Sequence, residues 1–429
     1  MKSQKPTMRH LIPTLAISIF ALALSEGEGL VSSIAAQSSS TPDEITLAVS
    51  GRTNVTPWIA GHDNFVAVAW GASQKGAGDI FVAVSRDGGR HFEAPVQVNA
   101  TTGEARISGE IAPRVSLSSG VNPNQPEIAV LWNAKHNGTA IRFARSRDGG
   151  KTFSAAQTLQ AGGAPGDRGW GAMALDAKGA AHVIWLDHRA MATGGEHSGH
   201  KGEHDGVAMA QKSALYYASV SPSGVRERPL FPGVCYCCKT AMAIAPNSVI
   251  YTAWRHVFAG NFRDIGFSAS RDGGATFSPM TRVNQDGWSI NGCPDDGPAM
   301  AVDGAGVVHL AWPTVADETG VILYATSRDG QSFSKPERVP TFGAPKASHP
   351  QVAVDGSGQV FVGWDEVRNG ARSASIVALG MKGATTPGTP ESFGPATAYP
   401  VMAASGRGLV AAWTSGAPDR SVIKVRRIR

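Results

Sequence analysis

The sequence predicts an all-β fold in which similar small sheets follow one another, and three observations indicate it. A short apolar strand that ends in Trp occurs seven times, at Trp70, Trp132, Trp185, Trp254, Trp312, Trp364 and Trp413. Successive Trp residues are 62, 53, 69, 58, 52 and 49 positions apart. The apolar runs are about as long as ordinary strands, and Gly-rich turns separate them, as expected for a repeated β array.

Each repeat unit contains more than the strand that ends in Trp. A first strand precedes it, such as PAMAVD from Pro298 or PQVAVD from Pro350, and an Asp-Gly turn links the two. A polar loop and a third strand follow, such as DIFVAVS or VILYATS, and a fourth strand is expected from segments such as QVNA after Phe92. Each unit therefore predicts a four-stranded sheet with strands a, b, c and d in chain order.

The two ends of the array complement each other. The last unit ends after its third strand, and the segment ITLAVS from Ile45 precedes the first unit without a partner of its own. If this segment supplies the missing strand of the last sheet, the array closes into a ring and no sheet edge stays exposed. Seven Trp units predict seven sheets, and six is the alternative.

Four of the third strands continue into a second motif, with the sequences SRDGGRHF (85–92), SRDGGKTF (146–153), SRDGGATF (270–277) and SRDGQSF (327–333). The Asp residues are Asp87, Asp148, Asp272 and Asp329. An Asp carboxylate can accept backbone N–H groups of a tight turn, and Gly allows the positive φ that such a turn needs. We expect these aspartates to stabilise turns and to take no part in chemistry.

This motif resembles the Asp-box (BNR) repeat of sialidases and related β-propellers. The resemblance covers nearly the whole chain after its first segment, and it implies a closed β-propeller of four-stranded blades. Sialidases themselves have six blades, whereas this sequence predicts seven. The resemblance also implies that the Asp-box turns lie on the face opposite the ligand-binding face.

Composition excludes several classes of protein. The chain has 429 residues, of which 42% are hydrophobic and 17% charged, so it can form a large core and is not disordered. Four Cys are too few for a disulfide scaffold of this size. The net charge is +5, and no run of five Lys or Arg occurs, so we expect no nucleic-acid partner. We expect a monomer.

The first segment has the pattern of a secretory signal peptide. Basic residues at Lys2, Lys5 and Arg9 precede an apolar stretch from Leu11 to Leu24, and small residues follow up to Ala36. The apolar stretch is short for a stable membrane span. We therefore expect a signal peptide over 1–36, a single propeller domain over 37–429, and export to the periplasm or the medium.

Residues that can bind a metal ion or a ligand cluster in the connections of one predicted face. In a four-stranded blade, the d-to-a connections and the b-to-c loops share a face, here called the upper face. This arrangement brings together Cys235, Cys237, Cys238, Cys293, Asp295, Asp296, His188, His197, His200, His204, His256 and His349. The longest b-to-c loop follows Trp185 and carries four of these histidines.

Three interpretations of the cysteines stay open at this stage. Thiolate and imidazole ligands suit copper or zinc, so the cluster predicts a metal site. In an exported protein the same cysteines could form disulfides, for example between the 235–238 loop and Cys293. A redox-active pair is the third alternative. No cofactor other than copper or zinc is expected.

The sialidase resemblance implies a different use of the upper face. It implies hydrolysis of terminal sialic acids by three arginines, a Tyr nucleophile paired with a Glu, and an Asp acid/base. The candidates here are Arg189, Arg255, Arg368, Asp365, Glu366 and Tyr399. The segment closest to the family's Arg-Ile-Pro motif is Ala112-Pro113-Arg114-Val115. A complete catalytic set cannot be assigned, so enzymatic activity stays open.

The sequence thus predicts an exported sialidase-like propeller that binds a metal ion, a small ligand or a glycan on its upper face. An exo-sialidase type of glycoside hydrolase is the first alternative. A protein-interaction platform is the second, since a fold does not determine a function.

Overall fold

The structure is a computed structural model that describes residues 44–428 except 110, 119–124, 136–137, 161–164, 193–205, 293, 317–318, 344–345 and 381–387. The predicted signal peptide over 1–36 lies outside these residues, as do Cys293, His197, His200 and His204. Residues Pro42–Arg429 form one compact unit.

The strands of the first four blades follow the predicted order a to d. Blade one contains β2 (Thr53–His62), β3 (Phe65–Gln74), β4 (Ala77–Ser85) and β5 (Val96–Gln97). Blade two contains β6 (Arg114–Ser118), β7 (Glu127–Lys135), β8 (Thr139–Ser146) and β9 (Gln157–Thr158). Blade three contains β10 (Arg168–Leu175), β11 (Ala181–Asp187), β12 (Ala214–Ser221) and β13 (Gly224–Pro232). Blade four contains β14 (Ala241–Ile244), β15 (Ile250–Arg255), β16 (Ile265–Ser270) and β17 (Thr281–Arg282).

The remaining blades repeat the pattern, and the last one uses the early strand. Blade five contains β18 (Ala299–Val302), β19 (Val308–Ala316), β20 (Thr319–Ser327) and β21 (Glu337–Arg338). Blade six contains β22 (Ala347–Val354), β23 (Val360–Arg368), β24 (Ala371–Ala378) and β25 (Glu391–Pro395). Blade seven contains β26 (Thr397–Ser405), β27 (Gly408–Ser415), β28 (Val422–Ile428) and β1 (Ile45–Leu47).

Seven antiparallel four-stranded sheets therefore form a closed ring, and the prediction of seven blades is confirmed over six. The inner strands contact one another in sequence around the ring, and β26 contacts β2 to complete it. The predicted closure of the last blade is also confirmed, because β1 pairs with β28 in the register Leu47↔Ile423. β1 thereby covers the edge of β28 that would otherwise be left unpaired on the outside of blade seven.

The seven Trp residues that mark the sequence repeat are core residues. Each is at most 2% exposed, and each packs between its own blade and a neighbour. A buried Trp removes about 150–250 Å² from water, which is worth roughly 4–6 kcal/mol before entropic costs. Several indole N–H groups find acceptors, such as Asn54 Oδ1 for Trp70 at 2.9 Å and Asp286 Oδ2 for Trp312 at 2.8 Å.

The four aspartates of the second motif close turns between strands c and d. The Asp148 carboxylate accepts the backbone N–H groups of Lys151 and Thr152 at 3.0 Å and the hydroxyl of Ser146 at 2.8 Å. The corresponding carboxylates accept equivalent bonds at Asp87, Asp272 and Asp329. These hydrogen bonds hold the turns in shape, and the turns lie on the face opposite the b-to-c loops.

The b-to-c connection of blade three is the longest and contains the two helices of the described residues. Helix α1 covers Arg189–Ala192 and helix α2 covers Gly206–Gln211. Within the described part of the chain, no helix is long and apolar enough to cross a membrane.

Candidate ligand site at the axis of the upper face

The inner strands carry a shared irregularity at their upper ends. In blades one, three, six and seven, a β-bulge interrupts the pairing of strand a with strand b. The residues at these bulges have positive φ although none is Gly: Thr56 (51°), Trp170 (55°), His349 (54°) and Tyr399 (53°). Such a backbone conformation costs about 1–3 kcal/mol and is found mostly where function requires it.

His349 and Tyr399 project from the bulges of two neighbouring blades, six and seven. Their ring centroids are 4.5 Å apart and the ring planes meet at 48°. Asp365 in β23 connects the two bulges, because its carboxylate binds His349 Nδ1 at 2.9 Å and accepts the backbone N–H of Tyr399 at 2.8 Å. The carboxylate thereby fixes which nitrogen of the imidazole faces it.

Asp365 is ionised in this setting. Burial alone would favour the neutral acid, but His349, the guanidinium of Arg372 and the Tyr399 amide together lower the pKa of this carboxyl. Arg372 in β24 pairs with Asp365 while its side chain stays 40% exposed. Arg372 therefore keeps part of its guanidinium available to a ligand.

Tyr399 fits against a position that only Gly can occupy. A Cβ added to Gly109 would lie 2.1 Å from the Tyr399 hydroxyl oxygen, so a side chain there would displace the phenol. The small axial cavity beside this contact is also lined by Arg114 and Lys239. Arg114 is buried, donates to the Gly171 carbonyl at 2.7 Å and lies 3.8 Å over the Trp58 ring.

Lys239 links the axis to the loop before blade five. Its ammonium donates to the Pro350 carbonyl at 3.0 Å and lies 3.8 Å from Asp296 Oδ1. The other oxygen of Asp296 accepts the backbone N–H of His349 at 2.8 Å. The loops pack closely here, because a Cβ on Gly297 would lie 2.0 Å from the Lys239 carbonyl oxygen.

A larger cavity of about 370 Å³ opens above His349 and Tyr399. Asp295, Lys346, Ser348, Val367 and Arg372 complete its lining. We call the following set the axial site: Arg114, Lys239, His349, Asp365, Arg372 and Tyr399. Its cationic groups outnumber its carboxylates, and its aromatic and imidazole rings can contact a sugar ring or move a proton.

A second cluster forms in the loop before β14. The sulfur atoms of Cys235 and Cys238 are 3.3 Å apart, and each lies 3.9 Å from that of Cys237. All three side chains are buried, and the three sulfurs lie within 4.8 Å of one another, the spacing of a possible metal site. Cys237 is disulfide-bonded, however, so the free thiols of this cluster are Cys235 and Cys238. A tetrahedral zinc site with bonds of about 2.3 Å would separate its sulfurs by about 3.8 Å. The two longer distances match this value, whereas the Cys235–Cys238 distance is shorter.

Two buried arginines surround Cys235. Arg263 Nη1 lies 3.6 Å from Cys235 Sγ, and Arg255 packs next to it. A hydrogen bond from the Cys238 thiol outweighs burial and, together with the charges of Arg263 and Arg255, lowers the pKa of Cys235 to about 7. Burial and the neighbouring Cys235 raise the pKa of Cys238 well above its usual range.

The described parts of three segments contact one another on this rim. Arg263 Nη2 donates to the Ile290 carbonyl at 3.0 Å, so it connects the cysteine loop to the segment before residue 293. The Gly206 amide, at the end of the long insertion, donates to Asn291 Oδ1 at 2.9 Å. The cysteine loop, the 290s segment and the insertion therefore meet.

The other predicted ligand histidines have different neighbours. His256 accepts the Trp254 indole N–H at 3.4 Å and packs edge-on against Phe258, and burial lowers its pKa to about 4. His188 lies against the Trp170 ring at 5.3 Å. Among the described residues, the one group whose spacing would suit a metal ion consists of the three cysteines and contains no histidine.

The predicted catalytic residues separate into two groups. Asp365 and Tyr399 belong to the axial site. Arg189 pairs with Asp187 and Glu227, and its guanidinium lies 4.3 Å over the Tyr216 ring.

The remaining catalytic candidates have structural partners. Arg368 lies 3.4 Å from the buried Glu366 and 4.0 Å over the Phe342 ring. Arg255 donates to the backbone carbonyls of Arg263, Pro313 and Asp296. Arg368 and Glu366 thus form a pair within blade six, and Arg255 joins blade four to blade five.

Three residues of the axial site were not among the sequence candidates: Arg114, Lys239 and Arg372. Arg114 belongs to the segment that most resembled the sialidase Arg motif, so the family resemblance contained this signal. The bulges also have a sequence mark, because Thr56, His349 and Tyr399 are each followed by Pro at the start of an inner strand. No sequence pattern distinguishes Lys239 or Arg372 from surface cations.

Comparisons with known proteins support the fold. No protein-family description and no curated protein sequence matches the chain. Among solved structures, an ulvan lyase of polysaccharide lyase family PL25 is 10% identical with a TM-score of 0.55, covering 89% of this chain and 95% of its own.

Two further structures have the same architecture. A protein of unknown function from Dyadobacter fermentans is 12% identical with a TM-score of 0.51, covering 90% of this chain and 98% of its own. The Hadza microbial sialidase Hz136 is 14% identical with a TM-score of 0.50, covering 85% of this chain and 76% of its own. The fold is a sialidase-like β-propeller.

Proposed function

We propose that this propeller binds an acidic carbohydrate at the axial site, and that His349 and Tyr399 transfer protons in its cleavage. The observation that carries the proposal is the convergence of strained backbone, cations and a His–Tyr pair on one cavity. Arg372 and Lys346 line the cavity and suit a sugar carboxylate.

The placement of the charges supports a ligand that carries a negative charge. Asp365 pairs with His349 and Arg372 and so orients these groups. Arg372 and Lys346 stay exposed enough to bind an anion, and Asp295 is a further carboxylate of the lining. Arg114 and Lys239 line the smaller cavity beside Tyr399, and Lys239 is paired there with Asp296. A carboxylate that binds in this setting is paired with cations in a partly dry environment, where ionic hydrogen bonds are strongest.

The fold comparisons agree with a carbohydrate ligand. The ulvan lyase was also solved with -[GlcA(1-4)Rha3S]- bound, and that structure has the same TM-score of 0.55 to this chain. The sialidase Hz136 shares the architecture too. Lyase and sialidase are both named for action on glycans, and the cavity at the centre of this chain has a composition that suits a glycan ligand.

The His349–Tyr399 pair gives the site a chemical capability beyond binding. Asp365 holds the imidazole through Nδ1, and the phenol lies beside the ring. An imidazole and a phenol at this separation can act as a base and an acid in glycosidic bond cleavage. Two reaction types are compatible with the pair, hydrolysis of a terminal sialoside and elimination at a uronic acid.

The test combines binding with turnover. Isothermal titration calorimetry measures affinity for sialyllactose and for a glucuronate-containing disaccharide. A fluorogenic sialoside reports hydrolysis, and ultraviolet absorbance of an unsaturated uronate reports elimination. We expect binding of one acidic sugar and no binding of its neutral counterpart.

Matched variants locate the site. Lys346→Met removes an exposed cation from the cavity without breaking a buried pair, and Arg372→Met removes the cation beside Asp365. Arg407→Met removes an exposed charge from the opposite face of blade seven as the control. We expect the first two to weaken binding about 5- to 100-fold and the control to leave it unchanged. Equal affinity in all three would refute the axial site.

A further inference from the structure

The Cys235–Cys238 pair forms an unusual contact outside the axial site. Both side chains are at most 1% exposed, and the Cys238 S–H donates to Cys235 Sγ at 3.3 Å. Both are free thiols in the structure. A small shift of the two side chains would bring the sulfurs to the disulfide bond length of about 2.05 Å.

The charges around the pair point to a thiolate at Cys235. Arg255 and Arg263 are each at most 1% exposed, and a buried cation without a counter-ion is costly. Arg255 gives its hydrogen bonds to three backbone carbonyls, which carry no formal charge. Arg263 bonds to the Ile290 carbonyl and to Cys235 Sγ. Of the acceptors in these hydrogen bonds of the described residues, Cys235 is the one that can carry a negative charge.

The side chain of Arg263 supplies a second indication of a thiolate at Cys235. Its Nε is buried and has no hydrogen-bond partner in the described part of the chain, although the side chain reaches Cys235. A guanidinium with an unused donor beside a sulfur is placed to stabilise negative charge there. The short S–S distance also favours a proton shared between two sulfurs over a metal ion held between them.

We propose that Cys235 and Cys238 are a redox-active dithiol, in which Cys235 is the nucleophile and Cys238 the resolving thiol, and that their substrate is a disulfide of low molecular mass. The Cys-x-x-Cys spacing places both sulfurs in one loop, so a disulfide between them needs no movement of a blade. Because both side chains are at most 1% exposed, the disulfide substrate reaches them only when this loop opens. The dithiol is independent of the carbohydrate proposal.

The reaction proceeds in two exchanges. The Cys235 thiolate attacks one sulfur of the disulfide, forms a mixed disulfide and releases the first thiolate. Cys238 then loses its proton and attacks the Cys235 sulfur, which releases the second thiolate, and the proton passes to one of the released thiolates. The two cysteines lose two electrons in total, and the substrate disulfide gains them.

The experiment uses the full chain equilibrated in buffers of reduced and oxidised glutathione. Free thiols are then alkylated in acid-quenched, denatured samples, and peptide mass spectrometry reports each cysteine separately. We expect Cys235 and Cys238 to lose the alkyl label together, in one two-electron transition, with a peptide that contains the new disulfide.

Two single variants separate the roles. Cys238→Ser keeps the nucleophile but removes the resolving thiol, so we expect it to accumulate one glutathione on residue 235. Cys235→Ser is the matched control of equal size, and we expect it to take up at least tenfold less glutathione at Cys238. Circular dichroism confirms that each variant keeps the β fold.

Three results would overturn the proposal. The first is the absence of a Cys235–Cys238 disulfide at every glutathione ratio. The second is equal glutathione uptake by both variants. The third is stoichiometric zinc or copper in the purified protein that protects both thiols from alkylation, because this would assign the sulfurs to a metal site.

Discussion

His349 and Tyr399 occupy the same bulge position in adjacent blades, and one carboxylate, Asp365, binds the side chain of the first and the backbone of the second. Their rings are 4.5 Å apart as a result. The repeat thus does more than build a ring: it brings equivalent positions of neighbouring sheets into contact at the axis. Different side chains at these positions make a site from a structural repeat.

Removal of the Tyr399 hydroxyl should separate binding from chemistry. Tyr399→Phe keeps the ring beside His349 and the strained backbone, so we expect affinity for an acidic sugar to change less than threefold. Turnover of the productive substrate should fall at least 100-fold, because the phenol can no longer transfer a proton. The kcat and KM values measured for wild type and variant check this, and unchanged kcat would exclude Tyr399 from the chemistry.

Thr56 offers a direct test of the backbone strain at the bulges. It has φ of 51°, its side chain is β-branched, and its buried hydroxyl has no partner among the described residues. Thr56→Gly should raise the free energy of unfolding by about 1 kcal/mol, since relief of the strain exceeds the entropic cost of Gly.

The control for this change is Thr252→Gly, at a buried position of β15 with ordinary backbone geometry. We expect it to lower the free energy of unfolding by about 1 kcal/mol or more. Urea denaturation followed by Trp fluorescence measures both variants. A Thr56→Gly protein less stable than wild type would show that the bulge is not strained.

The turn aspartates should give the fold a defined sensitivity to acid. Hydrogen bonds from the hydroxyl and amide of Thr276 and from Ser270 lower the pKa of Asp272 to about 2, below the value of about 3.9 for an unfolded chain. A lowered folded pKa means that this stabilisation is complete above about pH 3.9 and is lost as the pH falls toward 2.

Asp272→Asn removes the titrating group from this turn. The variant should therefore be less stable than wild type at pH 7, and the difference should shrink as the pH falls from 4 to 2. Urea midpoints at a series of pH values measure it. A difference that is constant over this range would contradict the role of the ionised carboxylate.

Closure of blade seven by β1 predicts that a substitution near residue 45 destabilises a blade whose other strands lie at the opposite end of the chain. Leu47 is 5% exposed and packs with Val425 and Ile423 of β28. Leu47→Ala should lower the free energy of unfolding by about 2–4 kcal/mol, through lost burial and the cavity left behind. Thr46→Ala, at an exposed position of the same strand, should change it by less than 1 kcal/mol.

Metal content is a separate and simple measurement. Elemental analysis of the purified protein tests the prediction of copper or zinc at the three clustered cysteines. If the site is a metal centre, one equivalent should be present, and Cys238→Ser should lose it. A metal-free protein with reactive Cys235 and Cys238 would favour the redox-active dithiol.

The sequence alone was enough to predict the ring. The seven Trp residues and the unpaired strand at Ile45 specify seven blades and their closure. A large indole at the end of an apolar strand and a strand without a unit of its own are both recognisable in the sequence. The cysteine loop was also found from sequence, since its residues are chemically distinctive and the topology of a blade places them on a known face.

The axial site was only partly predictable. Tyr399 and Asp365 were candidates for catalysis and His349 for metal binding, but nothing in the chain order shows that one carboxylate joins them. Lys239 and Arg372 resemble ordinary surface residues in the sequence. Their role follows from the packing of different blades against one another, which brings Arg372 into one site with Arg114, a residue more than 200 positions away in the chain. Contacts of this kind arise from the closed ring and not from any local pattern.

The closure by β1 also has a consequence for how the molecule forms. Leu47 finds its place only beside residues 422–428, so nearly the entire polypeptide must be available before the ring can shut. Contacts of such large sequence separation slow folding, and the unclosed array exposes a sheet edge until then. A cavity that Arg114 of blade two shares with Tyr399 of blade seven is therefore complete only when the two ends of the array have met.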